Sequence, residues 1–362
     1  MTTFDTIFIF LLITFVYLHI SAQWKTSNDL EVFESDMESV AQIQDVVAIK
    51  QPVVFKSSSS STGAMKINPV FRAIPAKFQD MEVRVYNDVV ERNERPSKAW
   101  ISLPYRSARS LLDTDTASKY FSEGNQLSFM EETGLDRVAA TMVDGWLRPP
   151  LAIHSSYDLM FGAPHVYLPL RYHIRAQQYL VVCSGKIRVK VAAPKYTKII
   201  GVVKDYDAFE FRSPVDPAFV WSTNVGSASA STNPLKRVAF LEIDVYAGSV
   251  LYIPPYWWHS IQYSGDTTTT ILNVQYDTLA NLAAQSKEWI QYAIRPYVAS
   301  PREKKGGNNH STQDKHKQET PPDQNEHSSS SSSSSSSAST AVVKNEDKHK
   351  TIVTNANTYD VL

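Results

Sequence analysis

The chain has 362 residues, 43% of them hydrophobic and 11% aromatic, with a formal charge of -1 and a pI near 6.8. That length holds one or two domains. The even charge balance excludes a domain-wide basic field, and with it nucleic acid held by counterion release. The one cysteine, Cys183, excludes an internal disulfide and fits a reducing compartment.

From Ile7 to Ile20 the chain is apolar apart from Thr14, Tyr17 and His19, and extended to Trp24 it is long enough to cross a hydrocarbon core of about 30 Å. Residues 1–24 are therefore expected to be a transmembrane anchor. Two alternatives stand beside it. One is a signal peptide cleaved after Ile20-Ser21-Ala22, although no basic stretch precedes the apolar run; the other is a buried helix. The nearest positive charge, Lys25, follows the run, which favours a single-pass protein with a cytosolic body; a signal peptide would make it secreted or lumenal. The body carries no Asn-x-Ser/Thr sequon, the one at Asn309 being in the tail.

Residues 25–45 read as a polar linker, and residues 46–300 as the folded body. Val46 to Ile49 reads as a helix end, Pro52 to Phe55 as a strand, and Ser57 to Gly63 as a serine-rich turn. Further on, Tyr179 to Val182 and Ile187 to Val191 are two β-rich runs joined at Ser184-Gly185, the pattern of a hairpin. Then come a strand from Phe240 to Tyr246, a turn at Gly248, a strand ending at Pro254, His259, and a strand from Thr268 to Tyr276. Residues 301–362 include an unbroken serine run from Ser328 to Ser337 and Asp-Lys-His-Lys at both 314 and 347. Such a segment cannot bury enough apolar surface to offset its ordering entropy, and is expected to be a disordered, solvating tail.

The spacing Gly248, five residues, Pro254, four residues, His259 is similar to the second sequence motif of cupins. Leu251 to His259, Leu-Tyr-Ile-Pro-Pro-Tyr-Trp-Trp-His, resembles the JmjC-type branch of protein hydroxylases. Lys50-Gln51-Pro52-Val53 resembles the opening strand of that branch, Ser213 to Asp216 its mid-barrel connection, and Asn273 to Tyr276 its late strand. The resemblance implies a mainly β fold: a double-stranded β-helix, or jelly-roll barrel, with flanking helices. It also implies Fe(II) held by two histidines and one carboxylate, with 2-oxoglutarate and dioxygen in the open positions.

In that branch the first motif reads His-x-Asp or His-x-Glu, its histidine thirteen residues before the glycine of the turn. Counting back from Gly185 puts Tyr172 and Ile174 at the ligand positions, leaving His259 as the only retained member of the triad. Ile187 stands where the 2-oxoglutarate lysine is expected, and alternation points its neighbours Lys186 and Arg188 to the other face. A slip of one residue brings in His173 but makes its partner the cation Arg175. A β-bulge near Pro169 is a further way to aim His173 at a site with His259 and Tyr172. Asp205, Asp207 and Glu210 are the carboxylates of a distant loop that stand as candidates to reach His259, while His154 and His165 are expected in surface or turn contacts.

The expected pocket lining is Tyr172, Ile174, Gln178, Tyr252, Trp257, His259 and Asn273, either holding a small ligand or peptide side chain or filling the barrel themselves. The N-terminal segment, Lys25 to Val32, and Arg171-Tyr172-x-Ile174 together resemble membrane-anchored cupin-like proteins of large DNA viruses, which implies architecture and context rather than an activity. The expectation is a non-catalytic binding or scaffolding module without a cofactor, with a membrane and a protein or peptide as partners. The alternative is an Fe(II)/2-oxoglutarate-dependent protein hydroxylase with a non-standard metal site; a structural virion protein is a third possibility.

Overall fold

The computed structural model describes residues 3–56, 65–87, 100–206, 209–221 and 234–298. The Ser57–Gly63 turn, Asp207 and the tail from residue 301 lie outside the described residues. Helix α1 (Thr3–Ser21) buries none of its residues, so the buried-helix alternative does not hold. The segment Thr3–Trp24 is long and apolar enough to cross a membrane. Its end is fastened to the body: Lys50 Nζ donates to the carbonyls of Ala22 (2.8 Å) and Lys25 (2.9 Å), and Trp24 Nε1 donates to Ala284 O at 3.1 Å.

The expected linker 25–45 is partly structured. Strand β1 (Phe33–Asp36) pairs in parallel with β2 (Val53–Lys56), and helix α2 (Val40–Ala48) starts at Ser39, whose side chain accepts from Gln42 N. The correction has a simple cause: Met37, Ile43 and Val47 enter the main core, and the Ile43/Val47 spacing puts both on one helix face. Leu30 and Val32 pack against the same core.

Among the described residues the strands form two sheets. The first runs β1, β2, β13 (Val250–Ile253), β8 (Gln177–Ser184), β15 (Thr269–Thr278), β6 (Ala152–Gly162), β5 (Tyr120–Ser122), β3 (Glu82–Asn87), β4 (Trp100–Pro104). The second runs β10 (Val203–Asp205), β11 (Glu210–Arg212), β7 (Arg171–Tyr172), β14 (Trp258–Tyr263), β9 (Lys186–Ala192), β12 (Leu241–Tyr246). Flanking helices include α3 (Tyr105–Asp113), α4 (Leu135–Leu147), α5 (Leu279–Ala284) and α6 (Ser286–Val298). Helix α4 buries Leu135, Ala139, Val143 and Leu147, one stripe at a spacing of four.

The Gly185 hairpin is a second correction. Strands β8 and β9 meet at that glycine but do not pair: β8 pairs with β13 and β15, and β9 with β12 and β14. Both strands carry apolar inward faces, and the chain buries both by stepping from one sheet to the other. On β9, Ile187, Val189 and Val191 join the core, whereas Lys186, Arg188 and Lys190 face Glu242 and Asp244 of β12. Gly185 allows the step because its φ is +79°, and a Cβ there would lie 2.3 Å from Thr269 Oγ1. The outer face of the second sheet has its own small core around Leu170, Ile200, Val220 and Trp258.

Candidate functional site

Strand pairing decides what faces His259. In β14, Ile261 and Tyr263 enter the main core while Trp258 packs in the outer cluster, so His259, two residues from Ile261, points between the sheets. Its partner across the ladder is Arg171. Directly opposed residues of an antiparallel pair project to the same side, so the guanidinium and the imidazole share one space. Tyr172, the next residue, does not oppose His259: it stacks on Phe211 at 5.2 Å between ring centroids and meets Trp258 edge-on at 4.9 Å, at the border of the space they share.

This overturns the register that placed Tyr172 and Ile174 at the ligand positions. The cause is a bulge at Cys183: Thr270 opposes Ser184, Ile271 opposes Val182, and Cys183 has no opposite number on β15. One extra residue precedes Gly185, so the count back reaches residues 171 and 173. The bulge sits at the end of β8, rather than near Pro169.

Arg171 is held by carboxylates. Its guanidinium donates to both oxygens of Glu123 (3.1 and 2.8 Å) and to Glu210 Oε1 (3.1 Å). Arg171 and Glu123 are almost withdrawn from solvent, with side chains 13% and 5% exposed. Glu210 also meets Arg212, which pairs with Asp205. The distant carboxylates thus approach the site, but Glu210 binds Arg171 and Asp205 binds Arg212. Behind Glu123, Asp158 accepts from the backbone N–H groups of Gly124 (2.8 Å) and Asn125 (2.7 Å), and burial pushes its carboxyl up to about 6.

Both inward histidines are neutral. Burial, with Arg175 nearby, pushes His173 down to about 4; burial and then the charge of Arg171 push His259 down to about 3. Their ring centroids are 6.3 Å apart. Gln178 on β8 donates to Asn273 Oδ1 on β15 at 3.0 Å. These groups line a cavity of about 560 Å³, rimmed by Phe209 and by Trp289 and Tyr292 of α6.

Of the expected lining residues, Tyr172, Ile174, Gln178, His259 and Asn273 border this cavity. Tyr252 and Trp257 do not: both are in the main core, Tyr252 against Tyr179. His154 lies on strand β6, at the cavity edge and 3.3 Å from Asp277, rather than in a turn. Arg175 binds Asp277 at 2.6 Å and lies over the Trp289 and Phe209 rings. Residue counting missed Arg171, Glu123 and Asp158, and for the two acids the sequence holds no signal, since their partners come from distant strands.

These donors do not fit an Fe(II) triad. Arg171, opposite His259, is a guanidinium with no lone pair to give, His173 is a second imidazole rather than a carboxylate, and Ile187 is buried and apolar. Among the described residues no three His, Cys, Asp or Glu side chains gather as a metal site. The site is thus a closed charge network beside two neutral imidazoles, inside a two-sheet β domain. The cupin-like domain family matches residues 35–281, well over half of the chain, and the chain belongs to that family. No curated protein matches it significantly. The matched span begins within β1 and ends within α5, so α1 and the aromatic rim residues of α6 lie outside it.

Proposed function

We propose that this protein is a non-catalytic binding module of double-stranded β-helix type, held at a membrane by α1, with the cavity beside His259 as its binding site. The observation that carries this reading is the Arg171 guanidinium opposite His259, paired with Glu123 on both oxygens. A cation fixed at that place repels a metal ion and removes a ligand position at once. The fastened end of α1 and the lysine after it support an anchor with a cytosolic body rather than a cleaved signal.

The test is metal content and turnover of the full chain, purified in detergent after anaerobic exposure to Fe(II). Far less than one iron per chain and no succinate formed from 2-oxoglutarate are expected; stoichiometric iron with 2-oxoglutarate-dependent succinate would overturn the reading. Carbonate extraction of membranes tests the anchor, with retention in the pellet expected. A second reading, a metal site built on two histidines, draws on the nearness of the neutral His173 and His259 rings. Under that reading His259→Ala abolishes metal binding; under ours it changes no metal content.

A further inference from the structure

The deep end of the cavity is a cluster of hydrogen-bond acceptors. His173 Nε2 lies 2.8 Å from the carbonyl oxygen of Ile253. A carbonyl only accepts, so Nε2 carries the proton and Nδ1 the lone pair. That Nδ1 is buried and has no hydrogen-bond partner. His259 has the other tautomer: Nδ1 faces the Trp257 carbonyl at 3.2 Å and donates to it, which leaves the lone pair on Nε2. Gln178 spends its amide N–H on Asn273, and its Oε1 is buried without a partner. All three side chains line the cavity, and His173 and Gln178 are only 8% and 5% exposed.

The charges around this cluster balance. Among the described lining residues Arg84, Arg171 and Arg175 stand against Glu123, Asp158 and Glu210. Arg171 is committed to Glu123 and Glu210, and Arg175 to Asp277. An entering cation would meet Arg171 beside His259; an entering anion would meet Glu123 and Asp158. Neither sign of ion is favoured. Each buried acceptor left unpaired costs about 1–3 kcal/mol, so the cluster calls for donors without net charge. A hydroxyl is such a donor, and it also accepts, which suits the amides of Asn273 and Gln275 on the same wall. The volume, about 560 Å³, falls within the range of small-molecule sites.

We propose that this cavity binds a neutral polyhydroxylated ligand of monosaccharide size, its hydroxyls donating to His173 Nδ1, His259 Nε2 and Gln178 Oε1. This rests on the non-catalytic reading, because a metal between the imidazoles would consume the same lone pairs. The full chain, in a detergent without a sugar headgroup, is titrated calorimetrically with D-glucose, D-mannose, D-galactose, N-acetyl-D-glucosamine and myo-inositol. L-Arginine methyl ester, 2-oxoglutarate and Zn(II) serve as counter-probes.

Saturable binding of at least one polyol, with a Kd below about 10 mM, is expected, together with weakening of about tenfold in Gln178→Leu, the equivalent of about 1.4 kcal/mol. His259→Phe is the second variant, and melting curves of both show whether the fold is kept. No polyol binding, unaltered binding in both folded variants, or binding of the cationic ester or 2-oxoglutarate in place of polyols would each overturn the proposal. Iron measured on the same sample separates the two ideas: stoichiometric iron sinks the non-catalytic reading, whereas metal-free protein that ignores every polyol sinks only this one.

Discussion

Replacing Arg171 with methionine isolates the charge network. The substitution keeps the length of the side chain but leaves Glu123, 5% exposed, without the guanidinium that holds both its oxygens. Glu210 fares better, because Arg212 Nε stays within 3.1 Å of it and its side chain is 20% exposed. One stranded buried charge dominates the loss. Breaking a buried pair from one side costs about 3–5 kcal/mol, and the partial exposure of Arg171 argues for the low end, about 3 kcal/mol. For a body of this size that corresponds to a fall in melting temperature of about 6–12 °C. Thermal and urea unfolding of the full chain in detergent, followed by circular dichroism, measures it. The double variant Arg171→Met/Glu123→Gln removes the stranded charge and should recover more than half of the loss. A single-variant loss under about 1 kcal/mol, or a double variant no better than the single, would refute the view that this pair is buried and tightly coupled.

Arg171→His with His173→Asp and Glu123→Gln should install two imidazoles and a carboxylate around one point. Cobalt(II) titration should then give visible absorption bands that the parent lacks, and their absence would contradict the register set by the Cys183 bulge. The neutral histidines predict a loss of stability in acid. Their folded pKa values lie below the unfolded value of about 6.5, so the unfolded chain takes up protons first as pH falls. Stability is complete above about pH 6.5 and declines to about pH 4 for His173 and about pH 3 for His259, by up to about 1.4 kcal/mol per pH unit for each histidine; His173→Gln should flatten the slope measured by urea unfolding. Burial pushes the Cys183 thiol up to about 12. A thiol-reactive disulfide reagent at pH 8 should therefore leave the native chain unlabelled and react after denaturation. Gly185→Ala forces a Cβ to within 2.3 Å of Thr269 Oγ1 at a positive φ. A cost of about 2–3 kcal/mol is expected from unfolding curves.

Much of the fold was legible in the residues. The alternation on Ile187, Val189 and Val191 gave the inward face of β9, and the Gly248, Pro254 and His259 spacing placed β13, the turn after it and the inward imidazole of β14. These features depend on period and on backbone chemistry, which lie in the local sequence. The run Thr3–Trp24 likewise declared itself by composition. The stretch 25–45 misled because its buried docking residues, Met37 and Ile43, are sparse among polar neighbours.

The site was not legible in the same way. A count from Gly185 assumes an unbroken ladder, and Cys183 breaks it without any sign in its own chemistry. One unpaired residue turns Tyr172 out onto Phe211 and brings Arg171 in beside His259. Glu123, 48 positions from Arg171 along the chain, then closes the pair from another strand end. Sequence by itself determined the strands around the Gly185 and Gly248 turns, because those follow from local periodicity and turn chemistry; only the tertiary structure decided what stands opposite His259, because register is a property of two strands pairing and not of either one.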